Sequence, residues 1–228
     1  MEWPDHVFAM SLFPSLFASD GSHFSDIPTF PKDQPVWNLL NDDDNGLRTQ
    51  LMNHINETQN IPTSCSFDES NGPVHIDASA HIEPGVHFIG PCYVGPRATI
   101  RQGAYIRQYA WICSEAIVGH CTEVKHSILL PGAQAPHFNY VGDSILGTGV
   151  NLGAGVKLSN LRNDGTEVYL KIGTSRFPSG LRKFGAILGE NCALGCNAVT
   201  NPGVVLGRDS IVFPNATVTG IHSPHSKL

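Results

Sequence analysis

Between Ile76 and Val124 an apolar side chain recurs at every sixth position: Ile76, Ile82, Phe88, Val94, Ile100, Ile106, Ile112, Val118 and Val124. The phase returns at Leu188, Leu194, Leu206, Val212 and Val218, with Thr200 alone off pattern. Four residues after most of these stands a small or second apolar residue, as at Ala80, Val86, Cys92 and Ala98, and later at Cys192 and Ala198. A period of six fits neither an amphipathic helix nor an alternating strand. It fits a parallel β-helix in which each hexapeptide supplies one short strand and one turn. Three hexapeptides close a triangular coil of roughly 18 residues, and coils stack at about 4.8 Å through strand hydrogen bonds. Residues 18 apart therefore lie one above the other.

This reading divides the chain into an N-terminal extension, 1–73, and the β-helix, 74–228. Residues 1–35 are rich in Phe, Pro, Ser and Asp and read as irregular. Trp37 to Leu40, with Leu47, Leu51, His54 and Ile55, follow helical spacing and predict a short helix over 36–58. A polar linker, 63–73, leads into the coils. The helix is expected to cap the open end of the stack, where a bare coil would expose strand edges. After Leu130 the next apolar positions are Tyr140, Leu146, Leu152 and Leu158. The long gap from 130 to 140 predicts a bulge around Ala133 to Asn139. From Asn160 to Gly185 the repeat dissolves into a polar, basic segment carrying Arg162, Lys171, Arg176, Arg182 and Lys183. Loops this long in a regular scaffold carry function. This one offers little to bury in its own subunit and is expected to pack on a neighbouring one.

Charge is unevenly spread. Residues 1–73 hold eleven Asp/Glu against two Lys/Arg, and the remainder nine against twelve, within a net charge of −6. So acidic a chain argues against nucleic acid as a partner, while the mildly basic coils suit an anionic small molecule. The apolar stretch from Val7 to Ala18 is short, broken by Pro14 and preceded by Glu2 and Asp5. It lacks the features of a signal peptide or membrane span. The six cysteines show no paired metal spacing, and Cys92 and Cys192 fall on inward positions. A reduced, cytoplasmic protein is expected, with no metal.

The ruler of 18 stacks Arg107 on Lys125, each directly after an inward apolar residue. Two cations so close repel unless an anion or carboxylate lies between them. A bound phosphate and a plain ion pair with Glu123 both satisfy that requirement. His137 follows Pro136, which holds Ala135 extended, and histidine is the natural general base near neutral pH. Six-residue spacing places His75, His81 and His87 on successive sides of the triangle, so they diverge and form no metal cluster. His120 and His126 fail likewise. The glycines between Leu146 and Gly155 sit at hexapeptide turns and lack the Gly-Lys-Ser/Thr ending of a phosphate loop. No nucleophile triad is evident.

Two blocks carry a resemblance: Thr122-Glu-Val-Lys-His-Ser-Ile-Leu-Leu and Ala135-Pro-His-Phe-Asn-Tyr-Val-Gly-Asp-Ser-Ile-Leu-Gly. Val150-Asn-Leu-Gly-Ala-Gly, Leu158-Ser-Asn-Leu-Arg-Asn-Asp-Gly and Gly180-Leu-Arg-Lys-Phe-Gly-Ala-Ile-Leu-Gly extend it. Over about 74–220 the chain resembles the acetyltransferase domain of the bifunctional sugar-1-phosphate nucleotidylyltransferase/acetyltransferases, nearest the archaeal-type branch, with GlmU more distant. The resemblance implies a left-handed β-helix, a homotrimer with sites between subunits, and acetyl transfer from acetyl-CoA to the amine of glucosamine 1-phosphate. It implies His137 as the base and Arg107, Lys125, Tyr140 and Asn151 as acceptor-binding residues. Ala154, Asn160 and Cys196 match positions at the acetyl-CoA site, with Asn160 also stabilising the oxyanion.

The sequence departs from this pattern in three places, one of them the basic C-terminal tail of the bacterial enzymes, here reduced to Ser226-Lys-Leu. Residues 1–73 hold no glycine-rich nucleotide-binding pattern, so a separate nucleotidyltransferase is expected. After Asp164-Gly165, where the family places lysine, the chain reads Thr166-Glu-Val-Tyr-Leu before Lys171. Two rival readings remain open. One is another hexapeptide acyltransferase with a different donor or amino-sugar acceptor. The other is a non-catalytic sugar-nucleotide-binding or assembly module.

Overall fold

The computed structural model describes residues 3–17 and 26–228. The hexapeptides form a three-sided parallel β-helix. Wall 1 has eight strands, from Val74–Ile76 to Ile221–His222; wall 2 has seven, from His81–Ile82 to Ile211–Val212; wall 3 has eight, from Ser66–Asp68 to Thr217–Val218. The chain visits walls 1, 2 and 3 in turn. Every predicted inward residue from Phe88 to Val124 is buried in one continuous core, as are Leu188, Leu194, Leu206, Val212 and Val218. Thr200 is also fully buried at its inward position. His75, His81 and His87 stand on walls 1, 2 and 3 respectively.

The corners are tight. A residue with positive φ recurs about every six positions, for example Arg97, Gly103, Tyr109, Glu115 and Cys121, and later Asn191, Asn197, Asp209 and Asn215. The left-handed region is costly for most side chains but less so for Asn and Asp, which fits their concentration in the later corners.

The coil length changes in mid-stack. Tyr105 pairs with Glu123, 18 residues on, but Glu123 pairs with Tyr140 and Tyr140 with Lys157, 17 residues on. The positive-φ corners show where a residue is lost, at His126 (five after Cys121) and Asp143 (five after Phe138). These two deletions, rather than a bulge, produce the phase slip. Residues Gln134–His137 form a regular strand of wall 2, paired with Ile117–His120 and with Asn151–Leu152. Leu129, Ala135 and Val141 point into the core, whereas Leu130 packs on the outside and Tyr140 stands half-buried on the outer face.

The N-terminal extension does not cap the stack. Its helical region is split into a 3-10 helix, Val36–Leu40, and an α-helix, Leu47–His54. Residues expected to be irregular contain short helices at Asp5–Val7, Ala9–Leu12 and Pro14–Phe17; 18–25 lie outside the described residues. All of this lies along the outer face of wall 1. There Tyr93, Trp111, Ile128, Ile145, Ile187 and Val205 form a stacked apolar column buried against Leu12, Phe13, Trp37, Leu39, Leu47 and Leu51. Both faces of wall 1 are therefore apolar, the pattern of a parallel sheet covered on each side. Two polar anchors fix the extension: Trp111 Nε1 donates to the Asp26 carbonyl at 2.8 Å, and Ser15 N to Glu190 at 2.9 Å. The first coil is closed instead by 59–68. Gln59 bridges to His75, Ser66–Asp68 pairs with His87–Ile89, and Ile61 and Cys65 pack on the core.

The 160–185 insertion packs on its own chain. Tyr169–Ile172 and Ser175–Pro178 form an antiparallel hairpin, and Val168, Leu170, Leu181 and Phe184 are buried. Phe184 stacks near Trp37 (5.8 Å between rings) and Phe177 against Trp3 (5.9 Å), so insertion and extension cover wall 1 together. Across the insertion the register resumes 42 residues on, Ile145 pairing with Ile187.

Candidate active site

Wall 3 carries the first group of site residues on its outer surface. Val124 pairs with Ile106, so Arg107 and Lys125 stack one coil apart, as the ruler of 18 requires. Each finds its own carboxylate. Arg107 donates to Glu123 at 2.7 Å and Lys125 Nζ to Asp143 at 3.2 Å. The Arg107 pair is about a third exposed, where such a bridge contributes little to stability. Asp143 is only 3% exposed, and its other oxygen accepts from His126 Nδ1 at 2.8 Å. The Asn160 amide donates to the same carboxylate as Lys125. Burial alone would raise the Asp143 pKa, but His126, Lys125 and Asn160 together outweigh it and hold the carboxyl below its ordinary value.

Tyr140 opens its strand of wall 3 and reaches along it. Gly142 supplies the room: a methyl built there would meet Tyr140 Oη at 2.6 Å and Asn160 Nδ2 at 2.8 Å. The phenol and the amide thus share the space over Gly142, next to Asp143. Burial, with Glu123 and Asp143 nearby, pushes the Tyr140 phenol up, so it is a hydrogen-bond donor at neutral pH.

The second group lies at the corner where wall 2 turns into wall 3. His137 pairs with His120 below it; above it, Gly155 N donates to the His137 carbonyl, and Asn197 N to that of Ala154. His137, Ala154 and Cys196 therefore stack as a column. Both His137 and Cys196 are exposed. Asn139, which sequence reasoning passed over, fixes this corner. It is buried, accepts from His137 N at 3.0 Å and donates to the Gly153 carbonyl at 2.8 Å. Tyr140 links the groups, its backbone three residues from His137 and its hydroxyl over Gly142. Asn151 is set apart from them, exposed on wall 2 between Gln134 and Ala193.

Asp143 and His126 were also absent from the sequence-predicted set. The ruler of 18 could not pair them, because they lie on the two shortened corners; a ruler of 17 does. Two clefts border this region. One, of about 410 Å³, lies between extension and insertion and is lined by Arg48, His126, Asp143, Arg182 and Lys183. The other, of about 460 Å³, is lined by Arg162, Tyr169, Lys171, Arg176 and Asn201. Lys171 and Arg176 face each other across the hairpin, and neither has a carboxylate partner among the described residues. Among the described residues no group of three or more His, Cys, Asp or Glu is placed to hold a metal ion. No helix among them is long and apolar enough to cross a membrane.

The family model of the GMPPB C-terminal domain matches residues 88–219, which hold every residue of both groups. The chain belongs to this family. Among relatives of this GMPPB C-terminal-domain protein is the bifunctional sugar-1-phosphate nucleotidylyltransferase/acetyltransferase of Sulfurisphaera tokodaii. It is 33% identical over 182 residues, 80% of this chain and 44% of the relative. The bifunctional protein GlmU of Methanococcus vannielii is 37% identical over 131 residues, 58% of this chain and 29% of the relative. The chain thus spans less than half the length of these relatives. A solved structure of a perosamine N-acetyltransferase from Caulobacter crescentus is 18% identical, covers 68% of this chain and 52% of that one, and has a TM-score of 0.32.

Proposed function

We propose that this chain is an acetyl-CoA-dependent N-acetyltransferase whose acceptor is an amino-sugar 1-phosphate of the glucosamine 1-phosphate type, used in nucleotide-sugar synthesis. The observation that carries the reading is the convergence of Tyr140 and Asn160 over Gly142 and of Asn160 and Lys125 on Asp143, with His137 on the corner where wall 2 turns into wall 3. Family membership and the acetyltransferase names of the relatives support it.

Arg107 and Lys125 bind the acceptor phosphate, and Tyr140 orients the sugar. His137, exposed and with no side-chain hydrogen bond to a described residue, takes the proton from the attacking amine. The donor supplies a thioester carbonyl, and its sulfur leaves with a proton as the free thiol. Asn160 or a backbone N–H donates to the oxygen that becomes negative during transfer. The small residue Ala154 and the exposed Cys196, stacked beside His137, leave an open corner along which acetyl-CoA fits. Asn151, exposed on wall 2, serves a site shared with another subunit. Extension and insertion cover wall 1, which leaves walls 2 and 3 free for a homotrimer with its sites between subunits. Exposed Phe138, Ile211 and Phe213 supply apolar surface on that side. The six free thiols suit the cytoplasm, and a separate nucleotidyltransferase completes the reaction sequence.

The segment from Thr166 to Leu170 favours a second reading, in which the acceptor or the acyl donor differs, because the expected lysine is absent there. A thiol-release assay with acetyl-CoA against a panel of amino-sugar phosphates, free amino sugars and nucleotide-linked amino sugars separates the two. Turnover confined to the 1-phosphates supports the first reading. Turnover confined to another class supports the second, and no turnover at all leaves the non-catalytic module.

A further inference from the structure

Asp143 occupies an unusual position in the coil. The corner it forms and the one below it, at His126, are each a residue shorter than their neighbours, which puts the two side chains directly over one another. Its backbone is left-handed (φ 47°), a conformation Asp tolerates better than most residues. One carboxylate oxygen accepts from His126 Nδ1 at 2.8 Å; the other accepts from Lys125 Nζ at 3.2 Å and from the Asn160 amide. His126 in turn packs edge-on against Tyr109 (5.9 Å), and Arg48 of the extension covers that ring at 4.7 Å. The side chain of Asp143 is 3% exposed and that of Lys125 17%.

Lys125 has no other side-chain hydrogen bond among the described residues, and its four-carbon stem is otherwise free to swing. The same carboxylate orients the Asn160 amide. One buried group therefore holds two residues of the proposed site, Lys125 at the acceptor phosphate and Asn160 at the thioester carbonyl. We infer that Asp143 is a positioning residue, one that fixes the Lys125 ammonium for the acceptor phosphate and the Asn160 amide for the carbonyl being transferred. This rests on the reading given under Proposed function.

The test is Asp143→Asn, which keeps the side chain's shape but turns a donor toward groups that are themselves donors. The KM for an amino-sugar 1-phosphate is expected to rise about tenfold, the size of effect of losing a charge-assisted hydrogen bond. The KM for the unphosphorylated sugar should stay unchanged. In a Lys125→Met background the same change should add no further increase in KM, because Asp143 reaches the acceptor phosphate through Lys125 alone. An additive increase would make Asp143 a plain support of the wall and overturn the inference.

A second readout needs no turnover. Labelling with an amine-reactive ester, quantified by peptide mass spectrometry, should modify Lys125 several-fold faster in Asp143→Asn, with Lys157 as internal reference. If the wild type acetylates nothing, the functional reading fails while this ratio still decides the positioning; an unchanged ratio overturns it. Should Asp143→Asn fail to fold, Asn160→Ala leaves its oxygen to Lys125 alone. Lys125 labelling should then fall below the wild-type rate, and no change overturns the inference.

Discussion

Gly142→Ala tests the site with little damage to the scaffold. Gly142 is not in the left-handed region, so alanine suits its backbone. The new methyl would meet Tyr140 Oη at 2.6 Å, Asn160 Nδ2 at 2.8 Å and Tyr140 Cε1 at 2.9 Å, where ordinary contact begins at 3.4 Å. The hydroxyl must retreat by the difference, about 0.8 Å. Both neighbours are ends of side chains, so the overpacking cost lies at the low end, about 1 kcal/mol. For a chain of this length that lowers Tm by about 2–4 °C. Activity should suffer far more, since a misplacement near 1 Å costs about 10²-fold in kcat/KM. Differential scanning fluorimetry and the thiol-release assay read the two effects. Gly185→Ala is the contrast: its methyl would meet the Gly142 carbonyl and Ser144 Oγ, so the wall itself must move and Tm should collapse. Full turnover in Gly142→Ala at the expected Tm would show that Tyr140 and Asn160 do not contact the reactants. A collapse as deep as that of Gly185→Ala would refute the claim that only side-chain ends give way.

Further outcomes follow from the same geometry. His137→Ala should slow acetyl transfer by roughly 10²–10⁴-fold with donor binding intact by calorimetry; unimpaired turnover would make it a surface residue. The folded-state pKa of Asp143 lies below its ordinary, unfolded value of about 3.9, so its stabilisation is present above that pH and lost as pH falls through the folded value. The gap in urea midpoint between wild type and Asp143→Asn should therefore hold at pH 7 and close below about pH 4; a gap constant with pH contradicts this. In native protein Cys121 and Cys196 should react quickly with a thiol reagent. Cys92, Cys113 and Cys192 should wait for unfolding, since burial raises all three thiols, Cys192 to about 12. Rapid native labelling of any of those three by mass spectrometry would contradict their placement. Trp111→Ala should cost about 3–5 kcal/mol and expose 30–60 to limited proteolysis, because it removes the bulkiest side chain of the column on which the extension lies; an unchanged cleavage pattern would argue against that contact.

The sequence by itself determined the coil and much of its internal arithmetic. A six-residue period is local: each strand and corner depends on a handful of neighbours, and core residues such as Ile100 and Leu206 could be read one by one. Stacking of Arg107 on Lys125 followed from the same count, as did the divergence of His75, His81 and His87. The apolar triplets Cys92-Tyr93-Val94 and Ala110-Trp111-Ile112 also carried the signal of a wall covered on both faces, although periodicity does not say what covers it.

Tertiary structure decided the rest. Helical spacing in 36–58 reports that one side is apolar, not which apolar surface it meets, and the surface it meets is the column along wall 1. The insertion was assigned to a neighbouring subunit because its composition is polar; four apolar side chains suffice to dock it at home. The two shortened corners were invisible because losing one residue twice mimics a single longer irregularity. Those deletions bring Asp143 over His126 and beneath Asn160, and so build a buried carboxylate cluster from residues whose spacing had separated them.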